Sequence, residues 1–190
     1  MPAGVGAAEE GAARLIAIPT IYRGIKFRSR LEARWATFLD AIGADWQYEP
    51  QGYTAGGVSY LPDFWLPDVA SRGVRSGLFL EIKPCTPTEA EQIKARMLAL
   101  GSGKPVVIAA RDPKLPEREH LFEYVSNERG EWDDEGLHFA KCADCGQINV
   151  GYFVRDRQCG TCQIGLSDPY EATLMQARAE FNERARWRAA

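Results

Sequence analysis

The sequence contains no apolar run approaching the ~20 residues that a membrane-spanning helix needs, so no segment is expected to cross a bilayer. Its first residues, MPAGVGAAEEGAARLIAIP, put Glu9 and Glu10 where a secretory leader carries positive charge, and a soluble, intracellular protein is expected. Cysteine is scarce. Five in 190 residues are too few for a disulfide scaffold. A basic excess is also lacking: the net charge of -3 counts at first against a nucleic-acid partner, whose dense negative charge basic groups must neutralise. With 45% hydrophobic, 11% aromatic and 26% charged residues, the composition is globular rather than disordered. The length fits one domain, or one with a small appendage, and excludes a large multidomain machine.

The charge is unevenly distributed. Residues 117 to 135 hold eight acids against Arg118 and Arg129, a segment that could meet a protein partner. Residues 22 to 35 hold Arg23, Lys26, Arg28, Arg30 and Arg34 against Glu32 alone, and Arg184, Arg186 and Arg188 gather near the C-terminus. The run before residue 35 is a candidate phosphate track, and equally a solvated face.

Residues 1 to 19 are small and aperiodic and read as a flexible tail. Ser29 and Glu32 have the form of a capping box, and Leu31, Trp35, Phe38, Leu39 and Ile42 recur at helical spacing up to Gly43. A strand is predicted over 46–49, a second over VSYLPDFWLP (58–67), and a central apolar strand over LFLEIK (78–83). Thr86, Pro87 and Glu89 fit the N-cap, N1 and N3 positions of a second helix that ends at Gly101. PVVIAA (105–110) and 121–126 are further strands. The short early links predict an antiparallel meander, and the second helix a crossover to a parallel strand, hence a mixed α/β sandwich.

Three acidic residues stand out. On a strand, Glu81 and Lys83 project to one face while Leu80 and Ile82 pack on the other, bringing an acid and an amine together. Asp63 lies within the aromatic run Tyr60 to Leu66, where a carboxylate is costly to bury unless it meets a cation. Asp68 repeats the Pro-Asp dipeptide but begins a polar loop, and Asp112-Pro113-Lys114 lies in a proline-bounded loop. Glu32, on the first helix, is either a site acid or the acidic half of the capping box. Glu49 is either a neighbour of the site or a strand-end charge.

A glutamate on the first helix, a PD at the second strand and an (D/E)xK on the third resemble the PD-(D/E)XK, or restriction-endonuclease-like, nuclease superfamily. SRLEARW, YEPQGY, YLPDFWLPD and FLEIKP, in that order over residues 20 to 110, look like small phage and transposon-encoded endonucleases, including transposon-end-cleaving subunits. The resemblance implies an αβββαβ core over 20–135 and a DNA endonuclease of a prokaryotic cytoplasm or phage-infected host, either free-standing or within a recombination or transposition complex. It implies that Asp63, Glu81 and the Ile82 carbonyl bind Mg²⁺ or Mn²⁺, that Lys83 orients the attacking water or offsets developing charge, and that Glu32 assists at the metal. Those residue types suit the chemistry, since Mg²⁺ takes hard oxygen ligands and keeps several waters. A non-catalytic nucleic-acid-binding adaptor is the alternative.

The pairs Cys142/Cys145 and Cys159/Cys162, thirteen residues apart, have the spacing of a four-cysteine zinc site and resemble a zinc ribbon over 136–166. Four thiolates closing a tetrahedron leave no open position, so a structural Zn²⁺ is expected. Redox dithiols are the alternative. Cys85 reads as a bystander and His120 has no evident partner, while His138 could compete as a ligand. Phe153, Arg155 and Arg157 could meet nucleic acid or pack the ribbon. The nuclease core is expected to have an apolar core of its own. Residues 167–190 read as a C-terminal helix with Leu174, Ala177 and Phe181 on one stripe, fit to cap the ribbon or meet a partner.

Overall fold

The structure, a computed structural model, describes residues 17–55, 57–71, 76–110, 121–126, 132–133, 138–142, 144–151, 159, 162 and 166–167. The predicted N-terminal tail to residue 16, Asp112-Pro113-Lys114, His120, Phe153, Arg155, Arg157 and the predicted C-terminal helix beyond Ser167, itself a strand residue, lie outside those residues, as does most of the acidic segment.

A hairpin of β1 (Thr20–Tyr22) and β2 (Ile25–Phe27) turns at Arg23 and Gly24, both at positive φ, and leads into α1 (Arg30–Ile42). Ser29 is the N-cap of α1: its hydroxyl accepts the Glu32 N–H at 3.1 Å, satisfying one of the first-turn donors. The helix ends at Gly43, as predicted, and that glycine adopts the left-handed conformation. Three short strands follow, β3 (Gln47–Tyr48), β4 (Tyr53–Ala55) and β5 (Val58–Tyr60). Then come β6 (Phe64–Leu66), β7 (Ala70–Ser71), β8 (Leu78–Lys83), α2 (Glu89–Ser102) and β9 (Val106–Ala110). The remaining strands are β10 (Leu121–Ser126), β11 (Trp132–Asp133), β12 (His138–Cys142), β13 (Ile148–Gly151) and β14 (Leu166–Ser167).

The main sheet has the order β11-β10-β9-β8-β6-β3. β6 lies antiparallel to both β3 and β8, and β9 lies parallel to β8 after the α2 crossover, which is the predicted meander and return. Strand alternation divides the core. Leu78, Leu80 and Ile82 join Phe64, Leu66, Val107 and Ala109 against Ala33, Trp35, Phe38 and Leu39. On the opposite face Phe79, Val106 and Ile108 pack with Ala95, Leu98 and Ala99 of α2. Each fully buried large side chain contributes about 1.5–3 kcal/mol. Among the described residues no helix is long and apolar enough to cross a membrane.

Two predicted boundaries are corrected. The stretch 58–67 is two strands, because β5 pairs back on β4 in a separate hairpin while β6 joins the main sheet, and Pro62-Asp63 makes the break. The second helix begins two residues later than its proline suggested. Thr88 is its N-cap and Glu91 completes the capping box, with Gly103 the left-handed terminus.

The cysteine-bearing strands are not packed apart from the rest. β13 pairs in parallel with β7, and Phe139, Ile148 and Val150 belong to the α1-side core, with the Phe38 and Phe139 rings edge-on at 5.7 Å. The expectation that the core of 20–135 is apolar on its own is therefore revised.

Gly77, just before β8, sits at φ +69°, and a Cβ there would lie 2.5 Å from Trp65 Cη2 and 3.0 Å from the Leu66 carbonyl oxygen. Gly77→Ala should cost about 1–3 kcal/mol through overpacking and backbone strain. Urea unfolding measures it, and an unchanged midpoint would mean that Trp65 is free to vacate the space.

Candidate functional site

The sheet delivers the site. In β8, Glu81 and Lys83 share the α2-facing side with Phe79, while Leu80 and Ile82 anchor the strand in the α1-side core. Glu81 is buried and its Oε1 lies 2.9 Å from Lys83 Nζ. The same ammonium reaches Glu91 Oε1 at 3.1 Å. Glu91 Oε2 accepts the Thr88 N–H at 2.8 Å, so the capping box of α2 also fixes a partner for Lys83. Burial works against the Lys83 charge, but Glu81 and Glu91 outweigh it and its pKa lies above the ordinary value. Burial likewise pushes the Glu91 carboxyl up; the Thr88 hydrogen bonds and Lys83 prevail and hold it below the ordinary range.

Asp63 lies at the break before β6, 3% exposed. Its Oδ2 accepts the Ile82 N–H at 2.8 Å, and its own N–H points to Glu81 Oε2 at 3.4 Å. Its Oδ1 accepts from Arg28 Nη2. Burial, reinforced by the neighbouring Glu81 charge, pushes the Asp63 carboxyl up to about 8 in spite of the Ile82 N–H and Arg28. Too much negative charge is gathered for its cations, the electrostatic condition that a divalent ion relieves.

Glu32 is engaged otherwise. Oε1 accepts the Ser29 hydroxyl at 2.7 Å, and Oε2 accepts the Tyr48 hydroxyl at 2.5 Å and the Arg28 N–H at 3.2 Å. Its backward reach is thus to Arg28, one residue before the cap. The predicted capping box is therefore only half formed, by the Ser29 hydroxyl on the Glu32 N–H, while the Glu32 carboxylate adds to the charge felt by Asp63. Burial and the bond to Glu32 hold the Tyr48 hydroxyl protonated well beyond its usual range. Burial and Glu81, to which it hydrogen-bonds, do the same for Tyr60.

The fit to Mg²⁺ rests on two hard oxygen donors, Asp63 at the break before β6 and Glu81 on the neighbouring β8, linked through the Asp63 N–H. Glu32 does not join them as a third converging oxygen. Among the described residues the four cysteines are the group of three or more His, Cys, Asp or Glu donors close enough to share an ion.

The basic run scatters. Arg23 pairs with Asp40 at 2.9 Å, and Asp40 also accepts from Tyr22 at 2.5 Å and Trp46 at 3.0 Å, tying the hairpin to α1. Lys26 and Arg30 are exposed, Arg34 is half-buried on α1, and Arg28 turns inward to the carboxylates. Sequence reasoning missed Tyr48, Tyr60 and Glu91. Glu91 carried a readable signal, a Thr-x-x-Glu box three residues ahead of Lys94, but Thr86 competed for the same reading.

The cysteines do converge. The Sγ atoms of Cys142, Cys145, Cys159 and Cys162 all lie within 4.8 Å of one another, with Cys142 to Cys162 at 3.4 Å and Cys145 to Cys159 at 3.6 Å. A disulfide needs about 2.05 Å, whereas four sulfurs each ~2.3 Å from one tetrahedral ion stand about 3.8 Å apart. The four cysteines could therefore hold one metal ion such as Zn²⁺. A turn at Gly146, φ +72°, returns the chain so that the Cys142 N–H reaches the Gln147 carbonyl at 2.9 Å. Donation from the Cys145 N–H, and then from Asp144, draws the Cys142 thiol below its usual pKa against its burial, whereas at Cys145, against donation from the Gln147 N–H, burial and the bonds to Cys159 and Cys142 raise it. Cys85 is exposed and apart from this cluster. No family model matches the chain, and neither a curated protein nor a solved structure matches it.

Proposed function

We propose that the chain is a Mg²⁺- or Mn²⁺-dependent DNA endonuclease of the PD-(D/E)XK kind, with a structural Zn²⁺ on Cys142, Cys145, Cys159 and Cys162. The carrying observation is the meeting of buried Asp63 and Glu81 with the Lys83 ammonium, 2.9 Å from Glu81, at one end of the central strands. A bound divalent ion would polarise the phosphodiester and lower the pKa of a water. Asp63 and Glu81 would hold that ion, with the Ile82 carbonyl as the further ligand that the resemblance implies. Lys83, held by Glu81 and Glu91, presents its ammonium to the attacking water and to charge developing on the phosphate oxygens. In the reaction the water oxygen bonds to phosphorus as the bond from phosphorus to the leaving sugar oxygen breaks. The proton lost by water passes to solvent and another returns to the leaving oxygen. DNA is the substrate class. A recombination or transposition complex, met through the acidic segment or the expected C-terminal helix, is one setting for this activity, and a free-standing nuclease is the other.

The test incubates purified chain with labelled duplex, nicked, flapped and branched DNA, with Mg²⁺, with Mn²⁺ and with chelator. Metal-dependent cleavage that chelation stops is expected. Binding without cleavage under every condition would favour the adaptor.

A further inference from the structure

We infer that Arg28 is the resident counter-ion of the carboxylate site and surrenders Asp63 Oδ1 when a divalent cation binds. The inference rests on the metal-site reading above and concerns a residue for which that reading has no role.

Main chain and side chain of Arg28 are held separately. Its N–H is fixed by the Tyr48 hydroxyl at 3.0 Å and Glu32 Oε2 at 3.2 Å, so the backbone is pinned where β2 enters α1. The guanidinium then reaches across to bind Asp63 Oδ1 through Nη2 and Glu49 Oε1 through Nε at 2.8 Å, with Glu32 Oε2 at 3.9 Å. Glu49 is held in register with Asp63, because its N–H donates to the Asp63 carbonyl at 2.9 Å and its φ is +45°. A non-glycine residue pays for that conformation, and here the surrounding bonds fix it. The strand-end acid is thereby placed as a second anchor for the guanidinium.

The bonds of Asp63 differ in how readily they can change. Oδ2 is bonded to the Ile82 N–H in the buried strand β8. Oδ1 is bonded to a side chain that is 53% exposed and has another carboxylate to hold. A cation ~2.1 Å from Oδ1 would stand within roughly 4 Å of the guanidinium, where like charges repel strongly in a partly buried site. Lys83 is a poorer candidate to move, since it is 21% exposed and bridges Glu81 and Glu91. Arg28 has the freedom to yield, and Glu49 keeps it at the mouth of the site afterwards.

The experiment uses the zinc-loaded full chain without DNA and reads free Mn²⁺ by electron paramagnetic resonance during titration. Removing the competitor with Arg28→Gln should tighten Mn²⁺ binding by about five- to fiftyfold, the range of ordinary site-to-site coupling. Arg30→Gln removes an exposed charge from the same segment and should change it less than about twofold. Arg28→Lys, whose compact ammonium cannot fork between Asp63 and Glu49, should fall between them. In parallel, the ¹⁵N side-chain Nε resonance of Arg28 should move along the Mg²⁺ binding curve of the wild-type chain, which keeps the test open should Arg28→Gln fold poorly. Equal gains for Arg28→Gln and Arg30→Gln, or an Arg28 resonance that stays fixed as Mg²⁺ saturates, would overturn the exchange. If Mn²⁺ binding survives Asp63→Asn and Glu81→Gln unchanged, the metal-site reading falls, and the exchange with it.

Discussion

Asp63→Asn should reduce DNA cleavage by at least ~10²-fold while leaving the melting temperature of the metal-free protein unchanged or raised. The two halves of that expectation come from the same charge. Asp63 is 3% exposed beside Glu81, and burial with that neighbour pushes its carboxyl up to about 8. A carboxyl whose folded pKa exceeds its unfolded one stabilises the fold fully only below the unfolded value, and this is lost as pH rises through the folded value. Between about pH 4 and 8 the metal-free protein therefore accrues an electrostatic penalty, and asparagine removes it. The amide oxygen can still accept the Ile82 N–H, so packing at the break before β6 is kept. What asparagine lacks is the charge that a hard divalent ion requires. Lys83→Met should show a cleavage loss of similar size, with some loss of stability because Glu81 would remain buried without its 2.9 Å partner. Single-turnover cleavage and thermal melts in chelator measure both. Wild-type cleavage by Asp63→Asn would dismiss Asp63 as a metal ligand, and a large fall in its melting temperature would mean that its ion pair with Arg28 outweighs the repulsion.

Much of this architecture was legible because local signals and tertiary packing agree. Ser29, the apolar stripe from Leu31 to Ile42 and Gly43 define α1, and the apolar run from Leu78 to Lys83 is the central strand it covers. Alternation along β8 was enough to place Glu81 and Lys83 on one face. What could not be read depends on partners distant in sequence. Nothing near Arg28 announces that it turns inward to Asp63, 35 positions away, instead of outward with Arg30. The split of 58–67 was hidden because β5 and β6 are both apolar and aromatic, and only their different partners, β4 and β8, distinguish them. The cysteine spacing identified the four residues that converge but carried no information about where their strands dock. That docking is set by Phe139, Ile148 and Val150, which look in sequence like the core of a small independent unit.

Removing the metal from the four cysteines should for that reason unfold the chain as one unit instead of melting 136–166 first. Phe139 packs on Phe38, β13 adds to β7, Gln147 Nε2 donates to the Asp68 carbonyl at 2.5 Å and Lys141 Nζ to the Ile42 carbonyl at 3.3 Å. Asp68 and β7 follow directly on β6, the strand that Asp63 leads into, so the cluster and the acidic site share one stretch of backbone. A structural zinc contributes ~10–16 kcal/mol of apparent binding energy, comparable to the ~5–15 kcal/mol net stability of an ordinary domain. Losing even a third of it should lower the melting temperature by about 10 °C or more for a chain of this size. Cys145→Ser is the sharper variant, because Cys145 is exposed and fills no core, whereas Cys142 is buried and its replacement would disturb packing as well. Both should lose the bound zinc, measured as metal per chain, and both should show a single cooperative transition shifted downward in calorimetry. DNA cleavage should fall in parallel, since Asp63 and Glu81 depend on the same core. Two transitions, with the upper one unmoved by Cys145→Ser, would show instead that the cysteine-bearing strands fold apart from the sheet that carries the acids.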